Sequence, residues 1–276
     1  MTTKRFKRKL NKILEKTLLR ISKRHRFVIS TFILTTIIYL SQYIGVEKIF
    51  LATFFLAILT YILSLWCLWE ELTGIEFLTL FVLPVLFTSG VFLFYFLLPL
   101  RLIIKIPVAL LYAIGMYAIF LSENIFNVAA IRTIALLRAA KSVGMLFSLI
   151  ALFFLINTLF SFHAAFYINF LLVLFISFLI IISLFWSEKL NEAIDKDTFI
   201  FSLGSSVIVA ELALLISFFP IKATFASLYI TSLFYTFLGI GQNKIREMPV
   251  KRSLWEFALL NILALFMLFR MSVWEI

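Results

Sequence analysis

Unbroken apolar runs dominate this chain. They cover residues 27–44, 49–69, 77–98, 102–121, 143–162, 168–186, 199–219, 223–240 and 254–269. Each is close to the ~20 residues that a helix needs to cross a ~30 Å hydrocarbon core. In lipid the backbone must satisfy its own hydrogen bonds, so the spanning element is a helix or a closed barrel strand. Barrel strands alternate apolar and polar positions over about ten residues, and these runs do not alternate. The expected fold class is therefore all-α, a polytopic transmembrane helix bundle of about nine spans. Composition agrees. Of the 276 residues, 63% are hydrophobic and only 14% are charged, whereas a soluble domain is about half apolar.

Charge sets the expected orientation. The formal net charge is +11, and 11 of the 25 Lys and Arg residues precede Phe27. With the N-terminus inside, the inner loops carry 20 of these cations and the outer side carries five: Lys48, Arg101, Lys105, Lys222 and Arg270. The positive-inside rule then places the N-terminus in the cytoplasm and, after nine spans, the C-terminus outside. The expected location is the cytoplasmic membrane, multi-pass. The fourth run holds Lys105 and Pro107 near its start. The lysine is expected to reach the nearby interface, and a proline is tolerated at a helix start.

The first residues do not read as a cleaved signal, because the basic region is long and no small-residue cleavage site follows. Phe6, Leu10, Ile13, Leu14, Thr17 and Ile21 recur at helical spacing among lysines and arginines. This pattern predicts a basic amphipathic helix on the inner leaflet. The partners expected from it are the bilayer and anionic lipid headgroups, about 1 kcal/mol per basic residue near the surface. Membrane-protein partners fit as well. Nucleic acid does not, since the remaining loops are too short to build a basic face.

The sequence also predicts a parallel 4+4 internal repeat plus one extra span. Leu18-Leu19-Arg20 and Lys23 precede the first span as Leu136-Leu137-Arg138 and Lys141 precede the fifth. Trp69 and Glu71 close the second span as Trp186 and Glu188 close the sixth. Phe96-Leu97-Leu98-Pro99-Leu100-Arg101 matches Ser217-Phe218-Phe219-Pro220-Ile221-Lys222, and Tyr112 with Phe120-Leu121 matches Tyr229 with Phe237-Leu238. The expected division is a basic inner-face helix over 1–26, a four-span unit over 27–121, and a helical inner-face linker over 122–142. A second four-span unit over 143–240 follows, then an inner loop and ninth span over 241–276. Two even-numbered units entering from one side are related by an axis along the membrane normal.

Intramembrane polar residues are costly and mark candidate sites. Glu211 stands within the seventh run, following Gly204, Ser205 and Ser206, and Asn157 lies in the fifth. Glu211, Ser205, Ser206 and Asn157 form the candidate intramembrane polar site. Asn157, like Asn261 in the ninth run, also suits interhelical bonding, worth about 0.6–2 kcal/mol. Cys67, the one cysteine, reads as a small buried apolar residue. Outside the core, Ser122-Glu123-Asn124-Ile125-Phe126-Asn127 is followed by Arg132, Arg138 and Lys141 among alanines. On a single helix, Asn127, Arg138 and Lys141 share a face with Asn124 near it. That face is the candidate inner-face site for a lipid phosphate or a partner. This stretch resembles a segment of uncharacterised multi-pass bacterial membrane proteins; the resemblance covers residues 122–144 and implies no activity.

Several chemistries find no support. Aspartate occurs only at Asp195 and Asp197, both in one loop, and histidine only at His25 and His163. An intramembrane aspartyl protease, a zinc H-E-x-x-H site and a bis-histidine haem all need more. No phosphate-binding glycine loop is present. No catalytic residue, metal or cofactor is expected. Two functions lead: a transporter-like or permease-like bundle with Glu211 on its pathway, and a non-catalytic membrane scaffold or assembly subunit that binds partners or anionic lipid; an enzyme acting on lipid substrates has the least support.

Overall fold

The computed structural model describes residues 21–41, 43, 45–70, 72, 74–99, 102–130, 135–191, 193–246 and 250–270. The expected amphipathic helix over 1–26 lies almost wholly outside these residues, as do Glu71, Arg101 and Arg132. Among the described residues there are nine α-helices: α1 Lys23–Ser41, α2 Ile49–Leu68, α3 Glu76–Phe96, α4 Leu102–Ala129, α5 Leu137–Ser161, α6 Phe166–Lys189, α7 Lys196–Ile216, α8 Ala223–Ile245 and α9 Val250–Arg270. Each coincides with one predicted apolar run. Seven of them, α2 to α8, are long and apolar enough to cross a membrane. Helices α1 and α9 carry more charge, with Lys23, Arg24 and Arg26 in the first turn of α1 and Glu256 inside α9.

Local features explain where the helices stop. Helix α3 runs without a break through Pro84. Helix α4 tolerates Pro107 near its start. There Lys105 is buried and its ammonium lies 4.7 Å from the centre of the exposed Tyr43 ring, a cation–π contact. The single helical linker expected over 122–142 is divided instead. Residues up to Ala129 extend α4, and α5 starts at Leu137. Helix α6 ends where Leu190 takes a left-handed conformation, φ 54°, and its N–H bonds the Trp186 carbonyl at 2.8 Å. This left-handed closure turns the chain sharply. The turn lets the Trp186 indole donate to the Asn191 carbonyl at 2.9 Å.

The outside of the bundle is greasy. Phe32, Phe54, Ile103, Leu111, Leu259 and Phe266 are all exposed. A surface of this kind in water would be an aggregation face; in hydrocarbon it costs nothing. The protein is membrane-embedded, and its core is built from what the helices turn toward one another.

The packing order is the same in two halves of the chain. In the first four helices α1 packs on α2 and α4, α2 on α3 and α4, and α3 on α4. In the next four α5 packs on α6 and α8, α6 on α7 and α8, and α7 on α8. Buried apolar side chains fall into two clusters, one centred on α1–α4 and one on α5–α8. Helix α9 packs on α8. The halves join along a seam in which α3 lies against α5 and α6, and α4 against α5. That seam is tight. A Cβ on Gly90 would stand 3.1 Å from the Ala151 carbonyl oxygen and 3.2 Å from Leu155. The Ser183 hydroxyl donates across it to the Thr79 carbonyl at 2.6 Å.

Candidate functional site: a basic cleft and its ion knot

The intramembrane candidates do not converge. Ser206 is buried and its hydroxyl donates to the Ser202 carbonyl of its own helix at 2.6 Å. Ser205 is buried beside it on α7. Asn157 on α5 is buried and its amide donates to α8, reaching Thr224 Oγ1 at 3.2 Å and Ser227 Oγ at 3.4 Å. Glu211 is elsewhere. It is exposed on the outward face of α7, with Gly204, Ile208 and Leu215. Asn261 ties α9 to α8, donating to Thr236 Oγ1 at 2.5 Å and accepting from the Ser232 hydroxyl at 3.2 Å. Asparagines thus act as interhelical bonds here. Cys67 is fully buried with its sulfur 3.2 Å from the Ser30 hydroxyl.

The second candidate set is split as well. Asn127 is fully buried at the end of α4 and donates to the Leu68 carbonyl of α2 at 3.1 Å. The Asn124 side-chain oxygen Oδ1 is buried with no hydrogen-bond partner among the described residues. Arg138 and Lys141, by contrast, open onto a cleft of about 750 Å³ between the start of α5 and the ends of α6 and α8. Sequence reasoning grouped all four on one helical face. The break between α4 and α5 removes that shared face.

One acid organises the cleft. Glu188, in the last turn of α6, is only 2% exposed. It accepts Lys141 Nζ at 2.8 Å from α5, and Arg246 Nε at 3.0 Å and Nη2 at 2.5 Å from the end of α8. The Lys141 ammonium also donates to the Glu188 backbone carbonyl at 3.3 Å. Two-point guanidinium binding of a carboxylate is the stronger and more directional form of ion pair. Three helices are thereby fixed at one end of the bundle.

Burial is uneven across this knot, and the unevenness sets the charge of the cleft. The acid is covered, while Lys141 is 18% and Arg246 38% exposed. Arg138 is exposed and has no ion-pair partner among the described residues. Lys189 also borders the cleft and pairs with Asp195 at 2.6 Å. What the cleft shows to a ligand is cationic. Gln242 lines it too, 8% exposed, and makes no side-chain hydrogen bond among the described residues.

A related arrangement closes the first half. At the end of α2, Glu70 pairs with Lys23 at 3.2 Å and with Arg26, both from α1. Arg26 is buried and also donates to the Trp66 carbonyl at 2.8 Å. The acid in this place is Glu70, one residue before the Glu71 that sequence matching set against Glu188. Burial by itself would raise the Glu70 carboxyl; the Arg26 hydrogen bond and the Lys23 charge outweigh it and hold the group below the usual carboxylate range. A group lowered in the folded state stabilises above its unfolded pKa, about 4.3, and loses that contribution as pH falls through the folded value. Glu70→Gln is therefore expected to melt below wild type near neutral pH. The gap should close on acidification below about pH 4. Melting curves in detergent across that range test this, and a gap that persists unchanged in acid refutes it.

Sequence reasoning missed Arg246, Gln242 and the paired role of Glu188. The available signal was the one acid of a largely apolar helix, standing in its last turn. Basic residues around it were counted as flanking charge instead. Among the described residues no three His, Cys, Asp or Glu side chains gather as a metal site.

The comparisons bear on the second half of the chain. No curated protein and no solved structure matches it. One family model matches residues 132–271, a stretch that takes in α5 to α9 and every residue of the cleft. The chain belongs to the DUF5656 family, described as a protein of unknown function.

Proposed function

We propose that the protein is a non-catalytic membrane scaffold that holds anionic lipid at its basic end. In this reading it consists of two four-helix units of like orientation, α1–α4 and α5–α8, with α9 added. The repeated packing order, the two core clusters and the ion pairs Lys23–Glu70 and Lys141–Glu188 support the repeat. Each of those pairs links the start of a unit's first helix to the end of its second. The basic end faces the cytoplasmic leaflet, where anionic headgroups are concentrated.

The observation that carries the scaffold reading is the seam. A permease built from two units passes its cargo between them. Here the units meet with Gly90 pressed on the Ala151 carbonyl. The intramembrane acid Glu211 stands on the outer surface of α7. The reading is tested by purification in mild detergent with identification of the retained lipids by mass spectrometry. Anionic lipids are expected to be enriched over their share in the source membrane. Retained lipid with the same composition as the membrane overturns the proposal.

A further inference from the structure

The two helices that line the cleft, α5 and α8, also line a second feature. On α5 the cleft is lined by Arg138, Lys141, Ser142 and Met145. One turn further, Leu149, Ile150, Phe153 and Phe154 line an apolar groove of about 580 Å³. These positions recur every three or four residues, so they form one stripe along α5. On α8 the cleft residues Gln242, Ile245 and Arg246 follow Leu228, Thr231, Ser232 and Tyr235 of the groove in the same register. Leu260 and Ala264 of α9 close the groove's far wall. A charged pocket at the bundle end and an apolar groove deeper in the hydrocarbon zone thus lie along the same two helices.

We infer that this seam between α5, α8 and α9 is a binding site for one anionic phospholipid, with the phosphate in the basic cleft and an acyl chain along the groove. The inference rests on the scaffold reading and names its ligand and place.

Donor supply fits a phosphate. Arg246 has five N–H groups and Lys141 three. The knot uses two of the former and two of the latter. The rest of their donors are not spent on Glu188. Arg138 adds a whole guanidinium, and Gln242 adds an amide on the cleft wall. Glu188, the acid that would repel the phosphate, is screened behind the cations it binds. The groove argues for a lipid over a free phosphate. A water-soluble anion has no use for ten apolar or weakly polar side chains below the cleft.

The test uses the full chain in detergent and native mass spectrometry with three probes: phosphatidylglycerol, phosphatidylcholine and glycerol phosphate. Wild type is expected to retain phosphatidylglycerol in preference to the other two. Arg138→Gln, on an exposed position that adds no acid beside Lys141, is expected to weaken it about tenfold, the worth of one charge-assisted hydrogen bond. Gln242→Leu weakens it in the same direction. Thr231→Phe fills the groove and is expected to reduce phosphatidylglycerol while leaving glycerol phosphate unchanged. Melting temperature checks that each variant is folded. Equal retention of phosphatidylglycerol by all three variants overturns this site and leaves the scaffold reading standing. Glycerol phosphate bound as tightly as the lipid, with no effect of Thr231→Phe, overturns the lipid assignment. No preference for phosphatidylglycerol in wild type overturns both.

Discussion

Glu188→Leu is expected to be among the most destabilising single substitutions in this protein. The carboxylate it removes is covered and receives three hydrogen bonds, one from Lys141 and two from Arg246. Leucine leaves both cations facing an apolar side chain at a crowded helix end. Removing one member of a buried ion pair costs about 3–5 kcal/mol, mostly because the charge left behind is uncompensated. Arg246 is partly exposed and can turn to water, so the low end of that range, about 3 kcal/mol, is expected. The same reasoning predicts a rescue. The triple variant Lys141→Met, Glu188→Leu, Arg246→Leu has no stranded charge, and hydrophobic replacement of a whole buried ion cluster is often neutral or stabilising. It should recover most of the loss. Thermal unfolding in one detergent, for wild type, the single variant and the triple variant, reads both effects. A single variant that melts with wild type, or a triple variant no better than the single, would show that the knot does not hold α5, α6 and α8 together.

The knot also marks the boundary of what the sequence discloses. Each predicted run of apolar residues is a helix, because a membrane leaves the backbone no other economical course and the hydropathy signal is long. Helix ends were less legible. Residues 122–129 join α4, and 137–142 join α5, because alanines and other good helix formers extend a span past the hydrocarbon edge without any change of hydropathy. Which face of a helix turns inward was not legible at all. A span's pattern is nearly apolar all round, so it lacks the moment that identifies the buried side of a soluble helix. Glu211 is the clear case. Its chemistry suggested an interior position, and it lies on the outward face of α7. Gln242 is the converse, an ordinary residue near a loop that proves to be buried in the cleft wall. The partners of Glu188 come from α5 and α8, distant in sequence, and only the fold brings them together.

The seam between the halves offers the other large effect. A side chain at Gly90 meets two kinds of neighbour. Leu155 can adjust its rotamer, but the Ala151 carbonyl, 3.1 Å from the site of a Cβ, is part of the α5 backbone. Gly90→Leu must therefore displace helix α5 as a whole, together with the contacts that α5 makes to α4, α6 and α8. Overpacking of a well-packed core costs about 1–3 kcal/mol, and a backbone neighbour puts this variant at the upper end. Gly204 supplies the comparison within the same protein. Among the described residues nothing lies within 4 Å of its Cβ site on the outward face of α7. There leucine should gain the helix propensity that glycine lacks, about 0.8 kcal/mol, and meet only lipid. Gly90→Leu is thus expected to melt well below wild type and Gly204→Leu at or slightly above it. If the two units hold together chiefly through this seam, Gly90→Leu should also expose the chain between α4 and α5 to protease while the units stay folded. Equal melting of the two glycine variants would mean that the halves do not depend on close approach at Gly90, and the tight seam would lose its place as the argument against a passage between them.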